Sequence, residues 1–261
     1  MVSAIDRLKQ IVQRLRAPDG CPWDREQTHE SLKPHVIEEC YELIDAIDEK
    51  DDQGMQEELG DLLLQVVLHA QMASEEGRFD FDSVADVISE KLVRRHPHVF
   101  GDTKLATSDA VLKQWDAIKR REKTDRASAL DGVPRGLPAL AKAQKMQSKA
   151  ARVGFDWADA EGSLEKVKEE IKELERAGTS EERVEELGDL LFSVVNFARK
   201  SKLDAEELLQ AATGKFSERF RKMEALAESR DLNLSSLTLS EMDELWEEVK
   251  RRPSKSVISN Q

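Results

Sequence analysis

The sequence predicts an all-α protein made of two tandem helical-bundle repeats. Strand signals are nearly absent, with aromatic residues at only 5%. Apolar residues recur at helical spacing from the first segment onward. One ordered set of residues also occurs twice within 261 positions: EExxE, then ExxD, then KxxxR, then WxxxK. The first copy reads Glu38, Glu39, Glu42, Glu58, Asp61, Lys91, Arg95, Trp115 and Lys119, and the second Glu169, Glu170, Glu173, Glu186, Asp189, Lys215, Arg219, Trp246 and Lys250. Charged residues make up 36% of the chain, so a lone EExxE would be a solvated helix face, as Glu75-Glu76, Glu206-Glu207 and Glu247-Glu248 are. Four parts recurring in one order with similar spacing are hard to obtain from composition.

The elements follow in order. Ile5, Leu8, Ile11, Val12 and Leu15 lie on one helical stripe that stops at Pro18-Asp19-Gly20. Further helices are expected at about 31–48, 55–75, 83–95 and 108–123, punctuated by Gly54, Gly77 and Pro97. The second repeat predicts helices near 140–152, 163–176, 180–200, 205–227 and 240–251. Between the repeats, Asp131-Gly132-Val133-Pro134-Arg135-Gly136-Leu137-Pro138 is turn-rich. The expected organisation is a first repeat over 1–125, a linker over 126–138, a second repeat over 139–251 and a disordered tail over 252–261. The ExxD helices carry the densest apolar runs, Leu59 to Val67 and Leu187 to Val195, and are expected to be central, with their carboxylates at one end of a buried interface. Gly60 and Gly188 sit between Glu and Asp in both copies, where either close helix packing or room for an ion would account for them.

Composition narrows the function. Fifty-three acidic residues against 40 basic give a net charge of −13, which opposes attraction to nucleic acid or an anionic membrane. A polynucleotide substrate is not expected. Residues 1–16 are amphipathic and charged, no run approaches the ~20 apolar residues of a membrane span, and a cytoplasmic protein is expected. Cys21 and Cys40 are too few for a disulfide framework or a zinc site. All five histidines lie in the first repeat, so the second cannot use a histidine base or ligand. No GxxxxGK[ST] phosphate loop is present, and the His96-Pro97-His98 stretch is expected to be a structural turn.

The acidic motifs carry the chemistry. Residues three or four apart share a helix face, so each motif can aim two carboxylates at one point and two facing helices can gather four. Such a cluster repels itself unless a cation sits within it, and all-oxygen ligation suits Mg2+, with Mn2+ as a possible substitute. The expected ligands, also the expected catalytic groups, are Glu170, Glu173, Glu186 and Asp189. A second possible site comprises Glu39, Glu42, Glu58 and Asp61 with Lys91, Arg95, Trp115 and Lys119.

Six segments identify a resemblance: CPWDREQTHESL (21–32), EECYELIDAI (38–47), EELGDLLLQVVLHAQ (57–71), RRHPHVFGD (94–102), VGFDW (153–157) and EELGDLLFSVVNFAR (185–199). Through them the chain, from about Ile5 to Arg251, resembles the two-repeat MazG family of the all-α NTP pyrophosphatase superfamily. The resemblance implies Mg2+-dependent hydrolysis of nucleoside triphosphates to monophosphate and diphosphate, a broad base tolerance suited to clearing the nucleotide pool, and a homodimer. It also implies that the second repeat is the principal hydrolase. The cations agree with this, because Lys166 lies four residues before Glu170 and Arg183 three before Glu186, where the first repeat has His35 and Met55. Lys166, Arg183, Lys215, Arg219 and Lys250 are the expected partners of the triphosphate. Trp246 is expected to stack on the base, and Trp157 to pack. Two other readings stay open: a relative specialised for one nucleotide, and a helical interaction protein whose acidic clusters bind metal structurally or engage partners.

Overall fold

The computed structural model describes residues 2–122 and 128–251, and among them every regular element is helical. The chain divides into two compact units, Met1–Thr124 and Asp125–Gln261. The expected disorder of 252–261 lies outside the described residues.

The first unit contains α1 (Ala4–Arg16), α2 (Pro22–Glu26), α3 (Lys33–Glu49), α4 (Asp52–Glu75), α5 (Phe81–Arg95), α6 (Pro97–Phe100) and α7 (Ser108–Arg121). Its frame is the antiparallel hairpin of α3 and α4, with α1 and α5 laid against α4. Local chemistry sets the boundaries. Ser3 and Asp80 cap α1 and α5 by accepting from the backbone three residues on, and Asp51 accepts from the Gln53 N–H to start α4. Gly54 therefore falls inside α4, because the aspartate cap outweighs the propensity cost of one glycine. The short α2 and α6, which hydrophobic periodicity does not reveal, each begin with a proline whose missing N–H is no loss in a first turn. The core is Val12, Leu32, Val67, Leu68 and Met72, with Ile5, Leu8, Leu64 and Phe81 against it.

The second unit contains α8 (Ala139–Ala151), α9 (Ala160–Arg176), α10 (Ser180–Lys200), α11 (Ala205–Glu228) and α12 (Leu239–Arg251), with a short 3-10 turn at Leu234–Ser236. Helices α9 and α10 form the matching hairpin, α8 packs on α10, and α11 bridges α8 and α12. Thr179 opens α10 with a full capping box: its hydroxyl accepts from the Glu182 N–H, and Glu182 Oε2 accepts from Thr179 N–H at 3.1 Å. One core cluster joins Val195, Ala198 and Ala205 to Leu140 and Ala143. Another joins Met223, Leu226, Ala227, Leu245 and Val249 to Trp246.

One expectation needs correcting. Helices α4 and α10 are not buried around most of their circumference. Each buries one flank and leaves a second apolar stripe open: Leu59, Leu63 and Val66 on α4, and Val184, Leu187, Leu191 and Val194 on α10, with Leu191 55% exposed. The reason is geometric. The partner helices, α1, α3 and α5 on α4 and α8, α9 and α11 on α10, cover one part of each helix surface, and the stripe named here stays exposed among the described residues. Close packing likewise does not account for Gly60 or Gly188, since a Cβ added at either would meet nothing within 4 Å.

Candidate functional site

In each hairpin the second glutamate of EExxE meets the two carboxylates of ExxD. Glu170, Glu186 and Asp189 offer oxygens all within 4.8 Å of one another, and so do Glu39, Glu58 and Asp61. Glu173 and Glu42 stand beside these sets and are not members of them. Their charge is nonetheless felt. Glu186 is held above the ordinary carboxylate range by desolvation first and next by Glu173, Glu170 and Asp189. Glu58 is raised in the same way, by desolvation and then by Glu42, Asp61 and Glu39. Glu39 is raised by desolvation, with Asp61 and Glu42 behind it. Carboxylates that lift one another's pKa at such range are under electrostatic stress that a cation would relieve. The donor set, three oxygens with no nitrogen or sulfur, fits a hard divalent ion.

The surroundings of the two sets differ. In the second unit Glu170 is only 3% exposed, and Lys166 Nζ reaches it at 2.7 Å, Glu169 at 2.9 Å and Glu173 at 4.0 Å. These bonds hold the lysine charged, its pKa raised first by Glu170 and then by Glu169. At the same place in the first unit, His35 Nδ1 lies 3.4 Å from Glu38, and its ring is edge-on to Trp23. Beside the second set opens a cavity of about 820 Å3, whose walls include Glu170, Asp189, Lys166, Phe192 and Trp157. A cavity of 300–1,000 Å3 is the ordinary scale of a small-molecule site.

The loop that carries Trp157 is fastened from α10. Lys200 Nζ donates to the Trp157 carbonyl at 2.7 Å, and Arg199 pairs with Asp156, NH1 to Oδ2 at 3.3 Å. Burial alone would raise the Asp156 pKa, but hydrogen bonds from Arg199 and Lys200 overcome it and hold the carboxylate below its usual value. Trp246, by contrast, packs on the Met223–Val249 core and on Phe216, with ring centroids 5.2 Å apart.

The structure gathers part of the expected site. Glu170, Glu186, Asp189, Glu173 and Lys166 come together. Arg183 stays near the start of α10, where its Nε donates to the Ala177 carbonyl at 3.4 Å. Lys215 and Arg219 are on α11 and Trp246 and Lys250 on α12, and none of the four lines the cavity. In the first unit Arg95 is buried, donates through Nε to Glu122 at 3.0 Å and lies 5.4 Å over the Trp115 ring. Glu122 is drawn down to about 2 by Arg95 first and then Arg94. Lys91 and Lys119 lie on α5 and α7.

Sequence reasoning passed over Gln147, Ser193 and Asn196, which also line the cavity. A signal for two of them was present. Aligning the ExxD helices at Asp61 and Asp189, 128 residues apart, sets Ser193 against Gln65 and Asn196 against Leu68. A shorter residue replaces Gln65 and a polar one of similar size replaces Leu68 on an otherwise apolar helix.

Among the described residues the protein is all-helical, with an oxygen-only carboxylate cluster on each of two hairpins that could hold a metal ion. Comparison with known proteins makes this specific. The model of the MazG nucleotide pyrophosphohydrolase domain matches residues 27–100 and 159–223. The nucleoside triphosphate pyrophosphohydrolase/pyrophosphatase MazG of Thermotoga maritima is 53% identical over 246 residues, 94% of this chain and 95% of that protein. The nucleoside triphosphate pyrophosphohydrolase of Escherichia coli K12 is 48% identical over 259 residues, covering 96% and 98%. YabN of Bacillus subtilis, itself uncharacterized, is 50% identical over 254 residues, which is 95% of this chain and 52% of YabN. The chain belongs to the MazG nucleotide pyrophosphohydrolase family, and it is a hydrolase. No described helix is long and apolar enough to cross a membrane.

Proposed function

We propose that the protein hydrolyses nucleoside triphosphates to nucleoside monophosphate and diphosphate, with broad base tolerance, in its second repeat. The observation that carries this is the carboxylate set of Glu170, Glu186 and Asp189, two of which, Glu170 and Asp189, line a cavity large enough for a nucleoside. Mg2+, or Mn2+ in its place, would be held by these three groups with Glu173 beside them. When bound, such an ion supplies positive charge to phosphate oxygens and makes water more acidic. The side chains do the rest. Glu173, outside the triad yet close enough to raise Glu186, would orient the attacking water and take its proton. Lys166, now tied to Glu170 and Glu169, has a charge that an arriving triphosphate can share. Arg183, Lys215, Arg219 and Lys250 are the further candidates for phosphate contact.

The choice of repeat rests on more than Lys166. Where the second hairpin opens a cavity, Leu68 of the first is buried with Val12, Leu32 and Met72. The first set, with Lys91, Arg95, Trp115 and Lys119 on its later helices, then serves as a weaker or regulatory site. A second copy of the chain would cover the open stripes of α4 and α10, which supports a homodimer. The test is release of diphosphate and monophosphate from a panel of triphosphates, with and without chelator. Orthophosphate as the first product, or full turnover in chelator, would overturn the reading.

A further inference from the structure

The side-chain amide of Gln147, in α8, faces two environments. Its Nε2 donates to the Phe192 carbonyl at 2.8 Å. A carbonyl can only accept, so this bond fixes which way the amide is turned. Among the described residues Oε1 is buried without a hydrogen-bond partner, on a residue 7% exposed that lines the cavity beside Glu170 and Asp189. Buried acceptors with no donor are rare in native proteins and call for a physical reason.

The rest of the cavity suggests the reason. Trp157, whose backbone carbonyl is held by Lys200, lines it, and Ser193 and Asn196 place polar groups on its α10 wall beside Phe192. In the first repeat the two positions aligned with Ser193 and Asn196 are filled by Gln65 and the core residue Leu68. Aromatic surface next to an unsatisfied acceptor, a short distance from a carboxylate cluster, matches a heteroaromatic ring that carries N–H groups on its edge.

The geometry points to this cavity as the nucleobase pocket, with the Gln147 Oε1 accepting an N–H from the edge of the base and Trp157 covering its face. The inference rests on the triphosphate reading above. Adenine and cytosine present an amino group on that edge, and guanine and uracil a ring N–H. One carbonyl therefore serves all four bases, which reconciles a fixed orientation with broad tolerance. A site built to accept such a donor rejects the analogue that lacks it, because the acceptor stays unpaired.

The test uses the full chain and two substrate pairs: ATP against purine riboside triphosphate, and CTP against 2-pyrimidinone riboside triphosphate. Each analogue loses the amino group and gains no bulk. The native protein is expected to show a kcat/KM roughly tenfold lower for each analogue, the scale of one hydrogen bond. Gln147→Met, similar in length but with no acceptor of this kind, is expected to remove the difference. Circular dichroism verifies its fold, since the bond to Phe192 is also lost. Ser193→Gln, which installs the residue of the first repeat and leaves Gln147 intact, is expected to raise KM for all four substrates with kcat little changed. Equal use of parent and analogue by the native protein, full discrimination in folded Gln147→Met, or an unaltered KM in Ser193→Gln would overturn the pocket while leaving hydrolysis standing. Failure of every triphosphate to yield diphosphate would overturn the reading beneath it.

Discussion

At the scale of single residues, the same type of side chain does different work according to what lies within 3–4 Å of it. His29 and His69 show this in the first unit. Arg78 donates to His29 Nε2 at 2.6 Å, so that nitrogen accepts, and His29 Nδ1 carries the proton it shares with His69 Nδ1 at 2.7 Å. His69 must then be neutral at Nδ1. Desolvation first, and His29 second, push its pKa below the ordinary 6.5. The unfolded chain takes up this proton at a higher pH than the folded one. Its contribution to stability is therefore complete above about 6.5 and is lost as pH falls through the lower folded value. Thermal unfolding at pH 7.5 and 5.5 is expected to show a larger loss for the native protein than for His69→Gln; parallel losses would mean the pair does not titrate on folding. In the second unit, Asp189→Asn keeps size and removes one of three clustered charges. A fall in turnover of about a hundredfold or more is expected with the helical circular dichroism unchanged, because a hard ion relies on anionic oxygen. An active Asp189→Asn would make the triad a solvated patch.

At the scale of elements, the hairpins are held by caps and one buried flank rather than by full enclosure. The capping box of α10 is local, and Glu182 is kept below its usual pKa by the Gly178 N–H first and the Thr179 N–H next. Thr179→Ala is expected to cost about 1 kcal/mol, read as a lower denaturant midpoint with an unchanged slope. A null effect would show that α10 is set by packing alone. Much of this level was legible in the sequence. Helices α9 to α12 begin and end within about three residues of where periodicity and breakers put them, inside the ordinary uncertainty of helix ends. The short α2 and α6 were not, because five and four residues are too few to display a period.

At the scale of the whole molecule, one fold has been used twice and filled differently. The first hairpin places Gln65 and Leu68 where the second has Ser193 and Asn196, and the later part of the first unit pairs Arg95, at the end of α5, with Glu122 and Trp115. Arg95 is buried as well as paired, with its side chain 7% exposed against 34% for Lys166, and is poorly available to a triphosphate. In the full-length chain, Glu173→Gln is therefore expected to lower turnover far more than Glu42→Gln, measured as diphosphate release. Equal losses would mean that both repeats work, and a larger loss from Glu42→Gln would reverse the assignment. The open stripes of α4 and α10 lead to a second expectation at this scale. Leu191→Glu, on an exposed position of α10, should shift the protein to a smaller species in sedimentation velocity if a second copy covers that face. An unchanged sedimentation coefficient would argue against that interface.

By itself the sequence determined the helical class and the duplication, and it singled out four carboxylates in each repeat, of which the structure brings three together, since each depends on spacing within one helix or on two helices joined by a short turn. Periodicity of 3.6 residues, capping and the i, i+3 and i, i+4 relations act over a few residues and can be read directly. The tertiary structure alone decided which flank of α4 and α10 is buried, that Trp157 lines the cavity while Trp246 joins a core, and that Gln147 spends its N–H on Phe192, 45 residues away, leaving its carbonyl unpaired. These depend on volumes and partners brought together from distant parts of the chain, and residue type constrains such contacts only after the elements have packed.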